Sequence, residues 1–170
     1  AEAIAGMEKA LRLGNKVLVF GNGGSATQSS HFAAELVNKF YFRRRALPAL
    51  ALSADMANVT SIANDEEFGV VFSRQVEAFA AKGDVALGIT TSGRSANVLQ
   101  ALAAARERGL LTIALAGRQV DALRAIPAAI VIAVDADDTP TIQEMHLFVL
   151  HVMAEMIEKQ LCGGNHDHTV

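Results

Sequence analysis

The chain has 170 residues, 51% of them hydrophobic, with no tryptophan and a formal net charge of −3. That length suits one domain with a real core. The interspersed charges exclude the basic footprint of a nucleic-acid binder, the run Arg43-Arg44-Arg45 being short enough to read as a solvated loop. The lone cysteine, Cys162, cannot pair within the chain, which points to a reducing, cytoplasmic setting. No apolar run is long enough to span a bilayer, and no signal peptide precedes the first strand.

Helical spacing of Ile4, Met7, Ala10 and Leu11 predicts a helix over residues 1–13, stopped by Gly14-Asn15. Lys16–Phe20 reads as a buried strand, and Gly21-Asn22-Gly23-Gly24-Ser25 turns the chain sharply into a helix from about Ser25 to Phe40. Pro48 introduces a short strand, Ala49–Leu52. Ser53-Ala54-Asp55 looks like the cap of a helix over Met56–Ala63, and Phe68, Val71, Phe72, Val76 and Phe79 predict another over Glu66–Ala81. Val85–Ile89 is a third strand, after which Thr90-Thr91-Ser92-Gly93-Arg94-Ser95 leads into a helix over Ala96–Arg108. Leu111–Leu115 and Ile130–Val134 are the fourth and fifth strands, with a short helix, Val120–Ala125, between them. A long helix from Thr139 to Leu161 is stopped by Gly163-Gly164-Asn165, leaving 163–170 as a flexible tail. Alternating strands and helices, with connections too long for hairpins, predict an α/β fold with a parallel sheet covered on both faces. Ligands bind such sheets beyond the carboxyl ends of the strands, where both Gly/Ser loops fall.

Glycines let backbone N–H groups approach a ligand, and a helix N-terminus favours an anion. By itself Gly21–Ser25 is a tight strand-to-helix turn; it fits neither the dinucleotide nor the Walker pattern. The second loop shifts the balance, because Thr90, Thr91, Ser92 and Ser95 supply more hydroxyls than capping requires. A phosphate held by hydroxyls and amides, without a nucleotide fingerprint, points to a sugar phosphate. His31 and Glu35 stand four apart on one helix face, the spacing of a surface ion pair and equally of two ligands to one ion. On pattern alone the surface pair is the commoner meaning. On the apolar last helix Gln143 and His151 lie roughly 80° apart around the axis, close enough to address one cavity. His146 is rotated further and reads equally as a packed core histidine. Asn165-His166-Asp167-His168 reads as a frayed tail.

These residues carry a resemblance. FGNGGS (20–25), HFAAEL (31–36), AND (63–65), GD (83–84), TSGRSANV (91–98) and IQEMH (142–146) make the chain similar to the SIS (sugar isomerase) domain family, and within it to the phosphoheptose isomerases, from about Gly14 to Lys159. The resemblance implies a single SIS domain over 1–170, a flavodoxin-like three-layer α-β-α sandwich with a five-stranded parallel sheet. It further implies a homotetramer with active sites at subunit interfaces. The implied reaction interconverts sedoheptulose 7-phosphate and D-glycero-D-manno-heptose 7-phosphate through an enediol(ate), the first step toward the heptose of lipopolysaccharide or related glycans. Matched by motif, Asn22, Gly23, Gly24, Ser25, Glu35, Asn64, Asp65, Thr90, Thr91, Ser92, Ser95 and Gln143 would contact substrate. His31, Glu35, Gln143 and His151 would hold one zinc ion per subunit, with Glu35 and His151 as the acid–base pair. Family members begin with a further helix, so the helix over 1–13 is expected to be incomplete. Thr90 stands where Ser is more frequent, and Pro140-Thr141 where relatives often have Asp or Ala, then Arg, which removes one polar contribution. The rival reading is a SIS-domain protein that binds a sugar phosphate, or associates with a replication initiator, without catalysis; the four metal-type residues favour the enzyme.

Overall fold

The computed structural model describes residues 1–126 and 130–162; the expected helix stop at Gly163-Gly164-Asn165 and the tail after it lie outside them. Five strands, β1 (Val17–Gly21), β2 (Ala49–Ala51), β3 (Val85–Thr90), β4 (Leu111–Ala116) and β5 (Ile130–Ala133), form one sheet in the order β2-β1-β3-β4-β5, every pair parallel. The helices are α1 (Glu2–Arg12), α2 (Gly24–Val37), α3 (Met56–Asp65), α4 (Ser73–Phe79), α5 (Ala96–Glu107), α6 (Asp121–Arg124) and α7 (Thr139–Cys162). This is the three-layer α-β-α sandwich expected. Among the described residues no helix is long and apolar enough to cross a membrane.

Why the strands read as unbroken apolar runs is visible in their packing. β1 and β3 are buried at every position, because side chains of alternate residues enter two different cores. Val17, Val19, Leu87, Ile89 and Ile113 face α1, α2 and α7, where Met7, Phe32, Leu36, Leu150 and Met153 complete one cluster. Leu18, Phe20, Ala86 and Ala114 face the opposite way, into a second cluster with Val76, Val98 and Leu102 of α4 and α5. The strand order reverses between β1 and β3, so the turns that follow these two strands open beside each other.

The expected helix over Glu66–Ala81 is instead a 3₁₀ turn, Phe68–Val70, followed by the shorter α4. Glu67 is fully extended (φ −155°, ψ 156°), and Gly69 inside the turn carries the poorest non-proline helix propensity. The apolar spacing there marks burial of Val71, Phe72 and Val76, not one continuous helix. α2 likewise stops at Val37 rather than Phe40. The reason is a second correction: Arg44, expected in a solvated loop, has a side chain only 3% exposed and donates to the carbonyls of Glu35 (2.7 Å) and Leu36 (2.8 Å) at the end of α2. Arg43 and Arg45 are exposed, as expected.

The amino-terminal ends of β1 and β3 are fastened by Asp84. Its carboxylate is 1% exposed and accepts from the Lys16 backbone N–H (3.0 Å), the Lys16 Nζ (2.6 Å) and the Ala81 N–H (2.7 Å). Removing it leaves a partly buried ammonium and two amides without their acceptor. Asp84→Ala is therefore expected to cost about 3 kcal/mol of stability, read from the midpoint of urea unfolding at unchanged slope.

Candidate active site

Both strand-to-helix turns meet at the carboxyl edge of the sheet. Gly23, with φ 55°, stands at the N-cap of α2 and makes no side-chain cap bond; Ser95 at the N-cap of α5 makes none either. The contrast is α3, whose Asp55 accepts from the N–H groups of Ala57 (3.0 Å) and Asn58 (3.2 Å), as its sequence predicts. So the two helices that open on the shared edge keep their N-terminal amides clear of side-chain acceptors, the arrangement an anion needs. The turns are tied together by a reciprocal amide pair, Asn22 and Asn97, each Nδ2 donating to the other's Oδ1 at 2.9 Å.

In the second turn the hydroxyls of Thr90 and Ser95 lie 3.0 Å apart, and those of Thr90 and Ser92 3.5 Å apart. The Arg94 N–H donates to the Ser92 Oγ at 3.2 Å. Gly93 is required here. It has φ 66°, and a Cβ on it would lie 1.8 Å from the Gln119 carbonyl oxygen. Beside this turn is a polar cavity of about 200 Å³ lined by Thr91, Ser92, Arg94, Arg118, Asp137 and Thr139. Pro140 sits in the first turn of α7, where the missing N–H costs no helical bond, and the Asp138 carboxylate accepts from the Thr141 N–H at 3.0 Å.

The titratable cluster comes from two helices that pack side by side. His31 and Glu35 leave one face of α2, and α7 brings His151 against them. His31 Nε2 lies 3.0 Å from Glu35 Oε1, His151 Nε2 lies 3.4 Å from the same oxygen, and the two imidazole nitrogens are 2.9 Å apart. Neighbouring ligands of a four-coordinate zinc stand about 3.3 Å apart, given bonds of about 2.0–2.1 Å. Two imidazoles and a carboxylate at these separations fit such an ion, and the three donor atoms have the chemistry zinc takes. The pair on α2 is thus more than a surface pair, a distinction its spacing alone could not make.

Glu35 is only 12% exposed on its side chain, and its Oε2 is buried with no hydrogen-bond partner. Burial raises its pKa above the ordinary carboxylate value; His31 and His151 pull it back only in part. His146, in contrast, is a core histidine. It is fully buried, its Nε2 lies 3.1 Å from the Ala116 carbonyl oxygen, and burial lowers its pKa.

Other predicted residues are spread around this centre. The carboxamide of Gln143 lies against Gly24: a Cβ there would come within 2.4 Å of Gln143 Nε2. Gln28 Nε2 donates to the Gln143 carbonyl at 2.6 Å, so α2 fixes the backbone of α7 at this point. Ser25 is buried and turned back under the loop, its Cβ 2.8 Å from where a Cβ on Gly21 would be. Asn64 donates to Asp65 Oδ1 at 2.8 Å, and Asp65 lines a separate cavity of about 510 Å³ with Asn58, Arg74 and Arg108. No residue of the histidine–carboxylate cluster or the hydroxyl turn lines that cavity. Asn97 and Gln28 are the residues sequence reading passed over. Asn97 sat in a quoted motif and Gln28 between two of them, but only the packing shows which turn or helix each one joins.

The raised pKa of Glu35 sets a sign. A carboxyl whose folded pKa exceeds its unfolded value stabilises the fold in its protonated form, and that contribution is lost as pH rises from about 4.5 through the folded pKa. In chelator-treated protein Glu35→Gln is therefore expected to raise Tm at pH 7 relative to the parent, with the difference closing toward pH 4. Calorimetry across that range checks it.

A sequence profile of the SIS domain matches residues 1–117. The chain is 49% identical over 161 residues to the phosphoheptose isomerase of Pelobacter propionicus (strain DSM 2379 / NBRC 103807 / OttBd1), covering 95% of this chain and 85% of that protein. Among solved structures, phosphoheptose isomerase GmhA from Neisseria gonorrhoeae superposes with a TM-score of 0.87 at 40% identity, over 93% of this chain and 84% of that one. A phosphoheptose isomerase from Francisella tularensis gives a TM-score of 0.89 at 37% identity, with the same coverage of each chain.

Proposed function

Because the chain belongs to the SIS-domain family, and within it to the phosphoheptose isomerases, we propose that it interconverts sedoheptulose 7-phosphate and D-glycero-D-manno-heptose 7-phosphate. The chain is an aldose–ketose isomerase. The observation that carries the reading is the convergence of His31, Glu35 and His151, which a module that only binds a sugar phosphate does not need.

The two ends of the substrate are handled by different elements. Thr90, Thr91, Ser92 and Ser95, with the turn Asn22–Ser25 and its Gly23 and Gly24 amides, hold the phosphate and polar groups of the sugar. Glu35 takes a proton from C1 of the ketose while His151 delivers one to the oxygen on C2, giving the enediol. His151 then accepts the proton of the C1 oxygen, and Glu35 returns its proton to C2, which yields the aldose with every proton accounted for. A zinc ion held by His31, Glu35, Gln143 and His151 would supply Lewis-acid polarisation of the sugar oxygens.

The chain is a single SIS domain on this reading, working in the cytoplasm at the first step toward a heptose-containing glycan such as lipopolysaccharide. Asp65, which accepts from Asn64, opens onto a cavity apart from the histidine cluster. That placement supports a homotetramer in which one subunit's Asn64 and Asp65 reach a neighbour's site.

The test is an isomerase assay with sedoheptulose 7-phosphate, with added zinc and again after chelation. Turnover that falls on chelation and returns with zinc is expected. Glu35→Gln and His151→Ala are expected to lose at least about 100-fold in kcat, whereas Ser92→Ala raises KM with kcat nearly unchanged. Near-parental rates in both of the first two variants would sink the mechanism.

A further inference from the structure

Behind the catalytic cluster lies a second carboxylate that the proposed chemistry does not use. Glu158, two turns beyond His151 on α7, is 1% exposed and accepts four hydrogen bonds. Three come from successive backbone N–H groups, Phe40 (2.9 Å), Tyr41 (2.6 Å) and Phe42 (3.0 Å), and the fourth from Arg44 Nε (3.0 Å). Burial alone would raise the pKa of Glu158; those three amides and Arg44 outweigh it and lower the pKa, so the carboxylate stays charged.

The other end of the same guanidinium reaches the residue that matters most. Arg44 Nη2 donates to the Glu35 carbonyl at 2.7 Å, and Nη1 reaches the carbonyls of Leu36 (2.8 Å), Asn38 (3.3 Å) and Arg45 (3.0 Å). α2 has no basic residue in its own last turn. Its carboxyl end is closed by a cation from nine residues downstream of Glu35, the charge a helix C-terminus favours. The amides that Glu158 binds also fix the backbone of Phe40, whose ring centroid lies 5.7 Å from that of His151 with 35° between the planes.

We propose that the buried Glu158–Arg44 pair is a positioning device for the active site, holding the Glu35 turn of α2 through Arg44 and the His151 ring through Phe40. Three observations carry it: the carboxylate is fully used, the guanidinium bridges it to the Glu35 backbone, and Phe40, one of the three aromatic residues whose amides it binds, has its ring against the catalytic imidazole. The pair touches no substrate. It sets the relative placement of two groups that must act together, and displacements on the scale of 1 Å at such groups cost about 100-fold in rate.

The inference rests on Glu35 and His151 being the acid–base pair, so its test has a readout that does not need turnover. Glu158→Gln, Arg44→Lys and Phe40→Leu are compared with the parent protein, metal included. The readouts are steady-state kinetics with sedoheptulose 7-phosphate and the imidazole resonances of ¹⁵N-histidine-labelled protein. Expected for Phe40→Leu, which leaves the ion pair intact, is a kcat lower by about 10- to 100-fold, KM within about twofold, and a shifted His151 ring resonance. Phe40→Tyr, which keeps the ring, is expected to restore both. If Glu158→Gln or Arg44→Lys fails to fold, the two Phe40 variants decide. Parental kcat and an unmoved His151 resonance in Phe40→Leu would overturn the proposal. If the parent itself does not turn over this sugar phosphate, the functional reading fails separately, and the resonances alone decide: shifts in Phe40→Leu and Glu158→Gln support positioning, and unshifted rings refute it.

Discussion

Everything chemical in this molecule depends on α2 lying against α7 over one face of the sheet. Phe32, Ala33 and Leu36 from α2 and Leu150, Met153 and Ala154 from α7 share one core with the strands beneath. That apolar contact decides which edge of each helix meets the other. His31 and Glu35 leave α2 beside the stripe that Phe32 and Leu36 bury, and His151 follows Leu150 directly. The burial that drives the helices together thus also removes water from Glu35, which is why the same carboxyl carries a strained charge and an oxygen without a partner. Stability and chemistry draw on one interface here, with opposite sign.

Much of this was legible before any coordinates. Strand runs, glycine punctuation and the repeated turn-into-helix pattern define a parallel α/β sheet, and each of the five strands lies within two residues of its expected ends. The pairing of His31 with Glu35 is a matter of helical spacing, and spacing is local. Their meeting with His151 is not. It needs the register of two helices more than a hundred residues apart, which no periodicity encodes. The resemblance to a known family supplied that link by motif; the packing shows how it is achieved.

The failures are equally physical. Glu66–Ala81 has helical spacing, yet its backbone is extended at Glu67 and carries a glycine in the 3₁₀ turn that follows, because the spacing reports only which side chains are buried. Three consecutive arginines look solvated, since a charge has no business in a core without a partner. The partner, Glu158, lies 114 residues away on a helix whose own pattern reads as apolar. A buried ion pair split across that distance leaves no trace in either local window.

The contact between Gly24 and Gln143 changes what a lesion in the glycine turn means. An added methyl at position 24 would meet the tip of a long, rotatable side chain, and that tip can swing aside at little cost to the fold. The protein would be made in normal amounts and melt normally. What moves is the carboxamide on the neighbouring helix, so a substitution in a loop read as phosphate-binding would surface as a defect on the far side of the cleft. Allele collections sorted by motif would file it under the wrong half of the site.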